Sequence, residues 1–432
     1  MISDRKIAPP VYEITQLDYL HPEKWELSNG LKIWGINAGS QELVKIDFIF
    51  DAGAWHQPSN LIAGLTNAFL NQGSKNYSAQ EIAETFDFRG AYLQLNTDQQ
   101  FGSVSVLTLN KYIDKILEVT ADVIQFPTFP EKEINAQIGK KKQQFIIENN
   151  KVKTLAQKKF SQVLFGENHP YANTNKITDY DLLSQQQFIQ FHRHFYHPLN
   201  CKIIVAGQYN AEVKDALENN FGVQKWKTEH VNELTPRHIN SAEGRRFFVG
   251  KNDAVQSAIR IGALIPNREH PDFHGLNVLV TILGGYFGSR LMTNIREEKG
   301  YTYGIGAGIN AMPNAAYVSI STEVGTDVCD AALREIYFEL ERLQTDLVDQ
   351  DELDVVKNYL MGENLRNFDG VFAMSGSLRT LLEAGLNYNH YEDFMKIINS
   401  ITAEEIRDLA RKYFSRDDFF EVVAGKTKAN QL

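Results

Sequence analysis

The chain has 432 residues, with 44 Lys and Arg against 54 Asp and Glu, a net charge of −10, and 43% apolar side chains. At about 100–200 residues per domain this length suggests two or three domains, each able to bury a core, and the composition excludes a disordered or collagen-like chain. The acidic balance, with no basic run beyond Lys140–Lys142, excludes an electrostatic nucleic-acid binder.

No membrane span is expected, because apolar stretches such as Leu276–Leu283 fall well short of about 18 residues. The opening Met1-Ile-Ser-Asp-Arg-Lys lacks the apolar core of a signal peptide, which points to the cytoplasm; the periplasm is the alternative if a leader has been trimmed. Cys201 and Cys329 form neither a CxxC metal motif nor a disulfide framework.

In chain order, Ser78-Ala79-Gln80-Glu81 is a capping box that opens a helix closed near Gly90. Leu93–Thr97 and Phe101–Leu109 read as a hairpin around Asp98-Gln99-Gln100. Ile113, Ile116, Leu117, Val123 and Ile124 then trace the apolar stripe of a helix. Ser184–Tyr196 is a helix leading into the strand Ile203–Gly207. The polar stretch Gln224–Ala242, with Pro236, has no sustained period and reads as a linker. Beyond it, Tyr317-Val318-Ser319-Ile320 alternates like a half-buried strand, and Cys329, Leu333, Ile336 and Leu340 form a second helical stripe. Thr402–Phe414 and Phe420–Gly425 repeat the earlier helix and strand: Gly207 and Gly425 stand 218 apart, as do Ser184 and Thr402. The strands at Ser103 and Tyr317 echo one another at an offset of 214. Two copies of one α+β domain follow, each with the order strand, helix, helix, hairpin, helix, long helix, helix, strand. Each copy is an antiparallel-rich sheet covered by helices on one face. The expected boundaries are an extension at 1–24, a first domain at 25–223, a linker at 224–245 and a second domain at 246–432.

Two motifs invite a cofactor reading and fail it. His192, His194 and His197 crowd one segment, yet on a helix positions 192 and 194 point about 200° apart and cannot share a metal. They read as the rim of a helix end whose core is Phe188, Phe195 and Tyr196, and His169 as a structural residue in a turn. Gly304-Ile305-Gly306-Ala307-Gly308 lacks the strand before and helix after that a dinucleotide fingerprint requires, so its glycines read as close backbone approach within a strand.

Several segments resemble the pitrilysin/insulinase family of zinc metallopeptidases, in its bacterial processing-peptidase-like branch. They include Asn29-Gly30-Leu31-Lys32, Ala63 to Gly73-Ser74, His169-Pro170-Tyr171 and Phe191-His192 through Asn200. The most specific lie in the second half: Leu283-Gly284-Gly285, Ser289-Arg290-Leu291 and Ile295-Arg296-Glu297-Glu298-Lys299-Gly300-Tyr301-Thr302-Tyr303. Active members of the family carry HxxEH on a helix, with two His as zinc ligands, the Glu as general base and a downstream Glu as third ligand. Aligning Ala63 and Gly73-Ser74 puts Gly64-Leu65-Thr66-Asn67-Ala68 at that motif, so Gly64 and Ala68 replace the histidines and Asn67 the base. The downstream Glu falls near Gln143 or Gln144.

The family's second domain offers an Arg and, seven residues later, a Tyr, and Arg296 and Tyr303 fit that spacing. The resemblance implies transition-state stabilisation by this pair, with Arg290 and Tyr301 as nearby competitors. It also implies a subunit that holds no cofactor itself and pairs with a homologous HxxEH-bearing subunit carrying the zinc. Together the two would act on unfolded or extended peptides. The alternative within the same fold is a non-catalytic peptide-binding or scaffold protein.

Overall fold

The computed structural model describes residues 18–172, 174–222, 226 and 237–426. Alternating apolar residues such as Val44, Ile46, Phe48 and Phe50 turn one face of a strand to the core of its own half, and among the described residues the strands assemble into two sheets. The first half runs β1 (Glu23–Glu26), β2 (Lys32–Asn37), β3 (Leu43–Phe50), α1 (Ile62–Ala68), α2 (Ala79–Phe88), β4 (Tyr92–Thr97) and β5 (Gly102–Leu109). It continues with α3 (Ile113–Gln125), α4 (Glu131–Glu148), α5 (Val152–Phe165), α6 (Gln185–Phe195), β6 (Cys201–Gly207) and α7 (Ala211–Phe221). The second half runs β7 (Arg246–Gly250), β8 (Gln256–Ile265), α8 (Phe273–Val280), β9 (Thr302–Met312), β10 (Ala315–Gly325), α9 (Cys329–Thr345), α10 (Gln350–Arg366), α11 (Val371–Ala384), α12 (Asn389–Ser400), α13 (Ala403–Tyr413) and β11 (Phe420–Gly425).

The sheet orders are β1-β2-β6-β3-β5-β4 and β7-β11-β8-β10-β9. Apart from β1, the two match strand for strand. In each the returning strand pairs in parallel with the opening one, β6 with β2 and β11 with β7, and the rest is antiparallel. The capping box at Ser78 forms as expected, the helices starting at Ser184 and Thr402 open with capping boxes too, and Gly90 takes a φ of 59° just past α2. The apolar stripe of α3 is fully buried, and Cys329, Ile336 and Leu340 of α9 are buried likewise.

Three details differ from the sequence reading. Each half opens with more than one strand, because short polar runs such as Glu23–Glu26 pair as edges without an apolar alternation to betray them. Each long helix is two, since extended Lys151 separates α4 from α5 and Gly370, at a φ of 87°, separates α10 from α11. Thirdly, each sheet carries its own helices on one face, as expected, but receives a helix of the other half on the opposite face. From the first half, α5 packs Ala156 and Phe160 against Ala258, Val422 and Ala424 of the second sheet. From the second, α11 packs Leu378 against Ile36, Ile49 and Ile204 of the first. Gly262 on β8 makes room for this exchange, because a Cβ there would stand 2.7 Å from the Phe160 ring. The expected linker at 224–245 lies outside the described residues except at Trp226 and 237–245, and residues 1–17 of the expected extension lie outside them too.

Candidate functional site

The residues between α8 and β9 fold tightly, in two π-helical turns at Thr281–Gly285 and Met292–Glu298. Gly284 breaks the first with a φ of −162°, and a Cβ on it would lie 2.5 Å from the Ala307 nitrogen of β9. The close approach expected of the Gly304–Gly308 run is therefore made by Gly284 instead. Gly304 and Gly308 face open space and leave the surface of β9 bare.

After the second turn, Gly300 takes a left-handed φ of 67° and reverses the chain into β9. This reversal brings Arg296 to Tyr303: Arg296 Nε donates to the Tyr303 carbonyl oxygen at 3.0 Å. The guanidinium lies over the Phe287 ring at 4.8 Å, and its nearest carboxylate, Glu297, is 3.9 Å away. Both contacts leave N–H groups of Arg296 unspent. Tyr303 is 95% exposed, at the start of the edge strand of the second sheet. Such an edge offers unpaired backbone donors and acceptors to an added strand.

The neighbouring residues behave differently. Arg290 is half-buried and clamps Glu352 bidentately, Nε to Oε1 at 2.9 Å and Nη2 to Oε2 at 2.8 Å, which marks it as structural. Tyr301 is half-buried against the core of the second half.

The HxxEH-equivalent positions sit on α1. Gly64 and Ala68, one turn apart, supply no donor atom, and the space where a Gly64 side chain would project is open. Asn67 is fully buried and donates through Nδ2 to the Tyr196 hydroxyl at 3.0 Å and to the Ser103 carbonyl at 3.3 Å. Gln143 and Gln144 are exposed on α4. Among the described residues no three His, Cys, Asp or Glu side chains converge as metal ligands would. A zinc ion needs imidazole, thiolate or carboxylate donors, and α1 offers none, so these residues do not fit the metal that HxxEH would hold.

The histidine segment needs one correction. Only His194 stands at the rim; His192 and His197 are buried. His192 Nε2 lies 2.7 Å from the Ile124 carbonyl oxygen and its ring stacks on Tyr196 at 5.2 Å, so burial pushes its pKa down to about 4. In the expected turn, His169 accepts from the Tyr171 N–H at 3.1 Å and packs against Trp55 and Phe165. No helix among the described residues is long and apolar enough to cross a membrane.

Two sheets of matching topology, with a degenerate helix α1 in one half and an Arg–Tyr pair in the other, define a two-domain peptidase fold that has lost its metal motif. Family models agree: residues 35–173 match Insulinase (Peptidase family M16), and residues 183–360 match the Peptidase M16 inactive domain. The chain belongs to the M16 insulinase family. It is 24% identical over 397 residues to an uncharacterized zinc protease of Rickettsia felis, covering 90% of this chain and 94% of the relative. It is also 24% identical over 382 residues, 85% of each chain, to the non-peptidase homolog YmxG of Helicobacter pylori. Among solved structures, the M16 inactive domain protein from Pseudomonas fluorescens superposes with a TM-score of 0.85 at 23% identity, over 96% of this chain and 100% of that one. A chain of Complex III2 from Candida albicans superposes with a TM-score of 0.72 at 15% identity, over 93% of this chain and 95% of that one.

Proposed function

We propose that this chain is the non-zinc subunit of a heterodimeric M16 metalloendopeptidase, lending Arg296 and Tyr303 to the active site of an HxxEH-bearing partner that carries the zinc. The observation that carries the reading is the contrast between the two halves. Helix α1 has no ligand or base at Gly64, Asn67 and Ala68, whereas Arg296, half-buried, and Tyr303, exposed, are held together. Attack on a peptide carbonyl develops an oxyanion, and guanidinium or phenolic donors aimed at it lower the barrier. The edge strand β9 beside the pair suits an extended peptide added by backbone hydrogen bonds, with little demand on side-chain sequence.

The test is purification of the chain with whatever it retains from its native cell, followed by Arg296→Ala and Tyr303→Phe in the recovered complex. A co-purifying HxxEH chain is expected, with turnover falling about 10²–10³-fold in Arg296→Ala at unchanged zinc content. Recovery of the chain alone, or wild-type turnover in both variants, would refute the assignment. One observation favours a second reading, a peptide-binding or scaffold protein without catalysis: its relative from Helicobacter pylori carries the name non-peptidase homolog. In that case neither variant would change any turnover.

A further inference from the structure

By its place in the repeat, α8 is the counterpart of α1. Both follow the second shared strand of their sheet, and both pack on a hairpin edge strand, β4 or β9, and on a capped helix, α6 or α13. Between α8, β9, α10, α11 and α12 lies a cavity of about 400 Å³. Its lining includes Arg268, His274, Asn364 and His390, with walls from Phe273, Ile309 and Phe394, and contains no Asp or Glu. In a chain of net charge −10 such a lining runs against the overall composition.

Two buried polar atoms of the lining have no partner. Asn364 is 2% exposed and its Nδ2 has no hydrogen-bond partner; His274 is 7% exposed and its Nδ1 has none either. A buried polar atom left without a partner carries a desolvation cost that a bound partner removes, and Asn364 Nδ2, or His274 Nδ1 in the tautomer that protonates it, could donate to a bound acceptor. Arg268, half-buried, makes one long bond from Nη2 to the Ala311 carbonyl at 3.4 Å and lies over Phe273, and it forms no ion pair among the described residues. The nearby carboxylates make their ion pairs with other cations: Glu383 accepts from Arg379 at 2.6 Å, Asp393 pairs with Lys396 at 3.0 Å, and Glu363 pairs with Arg366; the Glu383 charge still reaches Arg268, and that of Asp393 reaches both histidines. The His274 and His390 rings stand 4.7 Å apart, and burial foremost pushes both down to about 4, with the Asp393 carboxylate opposing the shift and the Arg268 charge adding to it. Both imidazoles are therefore neutral at pH 7, and Arg268 supplies the positive charge.

The geometry points to a carboxylate-binding pocket, in which Arg268, Asn364 and His274 hold the terminal carboxylate of a short apolar peptide whose side chains lie against Phe273, Ile309 and Phe394. A flat two-oxygen acceptor suits a planar guanidinium and an amide N–H better than a lone point charge would. A volume near 400 Å³ is in the range of small-ligand sites and has room for about a dipeptide. The site is separate from Arg296 and Tyr303 and does not depend on a partner subunit.

Calorimetric titration of the full chain with N-acetyl-leucyl-leucine tests it, with the C-terminal amide of the same dipeptide and inorganic phosphate run alongside. Saturable binding of the acid is expected, with the amide roughly tenfold weaker or worse, as loss of a charge-assisted contact implies. Arg268→Gln should weaken the acid by at least that factor and leave the amide unchanged. If Arg268→Gln melts early, Thr380→Glu, which puts a carboxylate in the lining, serves instead and should abolish acid binding. Equal binding of acid and amide, wild-type affinity in folded variants, binding of phosphate alone, or no binding of the acid would each overturn the proposal.

Discussion

Asn314 Nδ2 donates to Gln100 Oε1 at 3.3 Å, joining two side chains 214 residues apart in the sequence. The two occupy equivalent places, at the tips of the β4–β5 and β9–β10 hairpins, so the repeat meets itself here. The Tyr171 hydroxyl completes the contact: it donates to Gln100 Oε1 at 3.3 Å and accepts from the Asn314 backbone N–H at 3.3 Å. Each neutral hydrogen bond contributes about 0.5–1.5 kcal/mol, and residues sharing one network couple. Gln100→Ala and Asn314→Ala should each lower unfolding free energy by about 1 kcal/mol, and the double variant should cost less than their sum. Urea denaturation of the four proteins measures the coupling, and strict additivity would show that the hairpin tips touch without supporting one another.

Exchange of α5 and α11 makes a stronger tie between the halves. Phe160 is 1% exposed against the second sheet, and Leu378 is 3% exposed against the first. Truncating either leaves a cavity beneath a helix that belongs to the other half. Phe160→Ala should cost about 3–5 kcal/mol and Leu378→Ala about 2–5 kcal/mol. Because each side chain bridges the two cores, one cooperative transition is expected in the wild type, and calorimetry should show it split into two in Phe160→Ala.

The repeat was legible in the sequence because its most regular parts are local: a helix opening at Ser184 or Thr402, and a strand ending in Gly207 or Gly425. The exchange of α5 and α11 was not legible, since Ala156, Phe160 and Leu378 look like ordinary helix core and nothing local says which sheet they cover. The Arg296–Tyr303 spacing could be read only through family resemblance. Its physical basis is the π-helical turn and the left-handed Gly300, neither of which leaves a periodic signal. His192 and His197 were misplaced at the rim because histidine is intermediate in burial and spacing alone does not say which way a helix end turns; the ring of His192 is spent on a carbonyl of α3. The pocket around Arg268 draws on residues from 268 to 394, and no spacing rule connects them.

Whether α1 can still carry a metal motif is open to direct trial. Gly64 has open space around its missing side chain, and Ala68 is half-buried one turn further on. Gly64→His with Ala68→His should therefore fold and even gain a few tenths of a kcal/mol of helix propensity at position 64. The pair at i and i+4 should bind Zn²⁺ measurably by calorimetry, with the wild type titrated alongside expected to show no binding at this helix. Position 67 is less forgiving. Asn67→Ala leaves the Tyr196 hydroxyl without its hydrogen-bond donor and should cost about 1–3 kcal/mol. A pair of histidines that failed to bind zinc would show that the helix itself, and not only its side chains, has departed from the family geometry.

Acid should weaken the fold through His192. Its pKa is pushed down to about 4 by burial, from an ordinary value of 6.5. Between those two values the unfolded chain binds a proton that the folded chain refuses, so stability is full above about pH 6.5 and falls as pH drops toward 4. For this one group the loss from pH 8 to pH 5 is about 2 kcal/mol. Replacing it by glutamine keeps a donor for the Ile124 carbonyl and removes the titration. His192→Gln should thus lose less stability than the wild type between pH 8 and pH 5, by about 2 kcal/mol in urea titrations, whatever the other groups contribute to both. Parallel pH profiles in the two proteins would mean that the imidazole is protonated in the fold or that its site opens before it titrates.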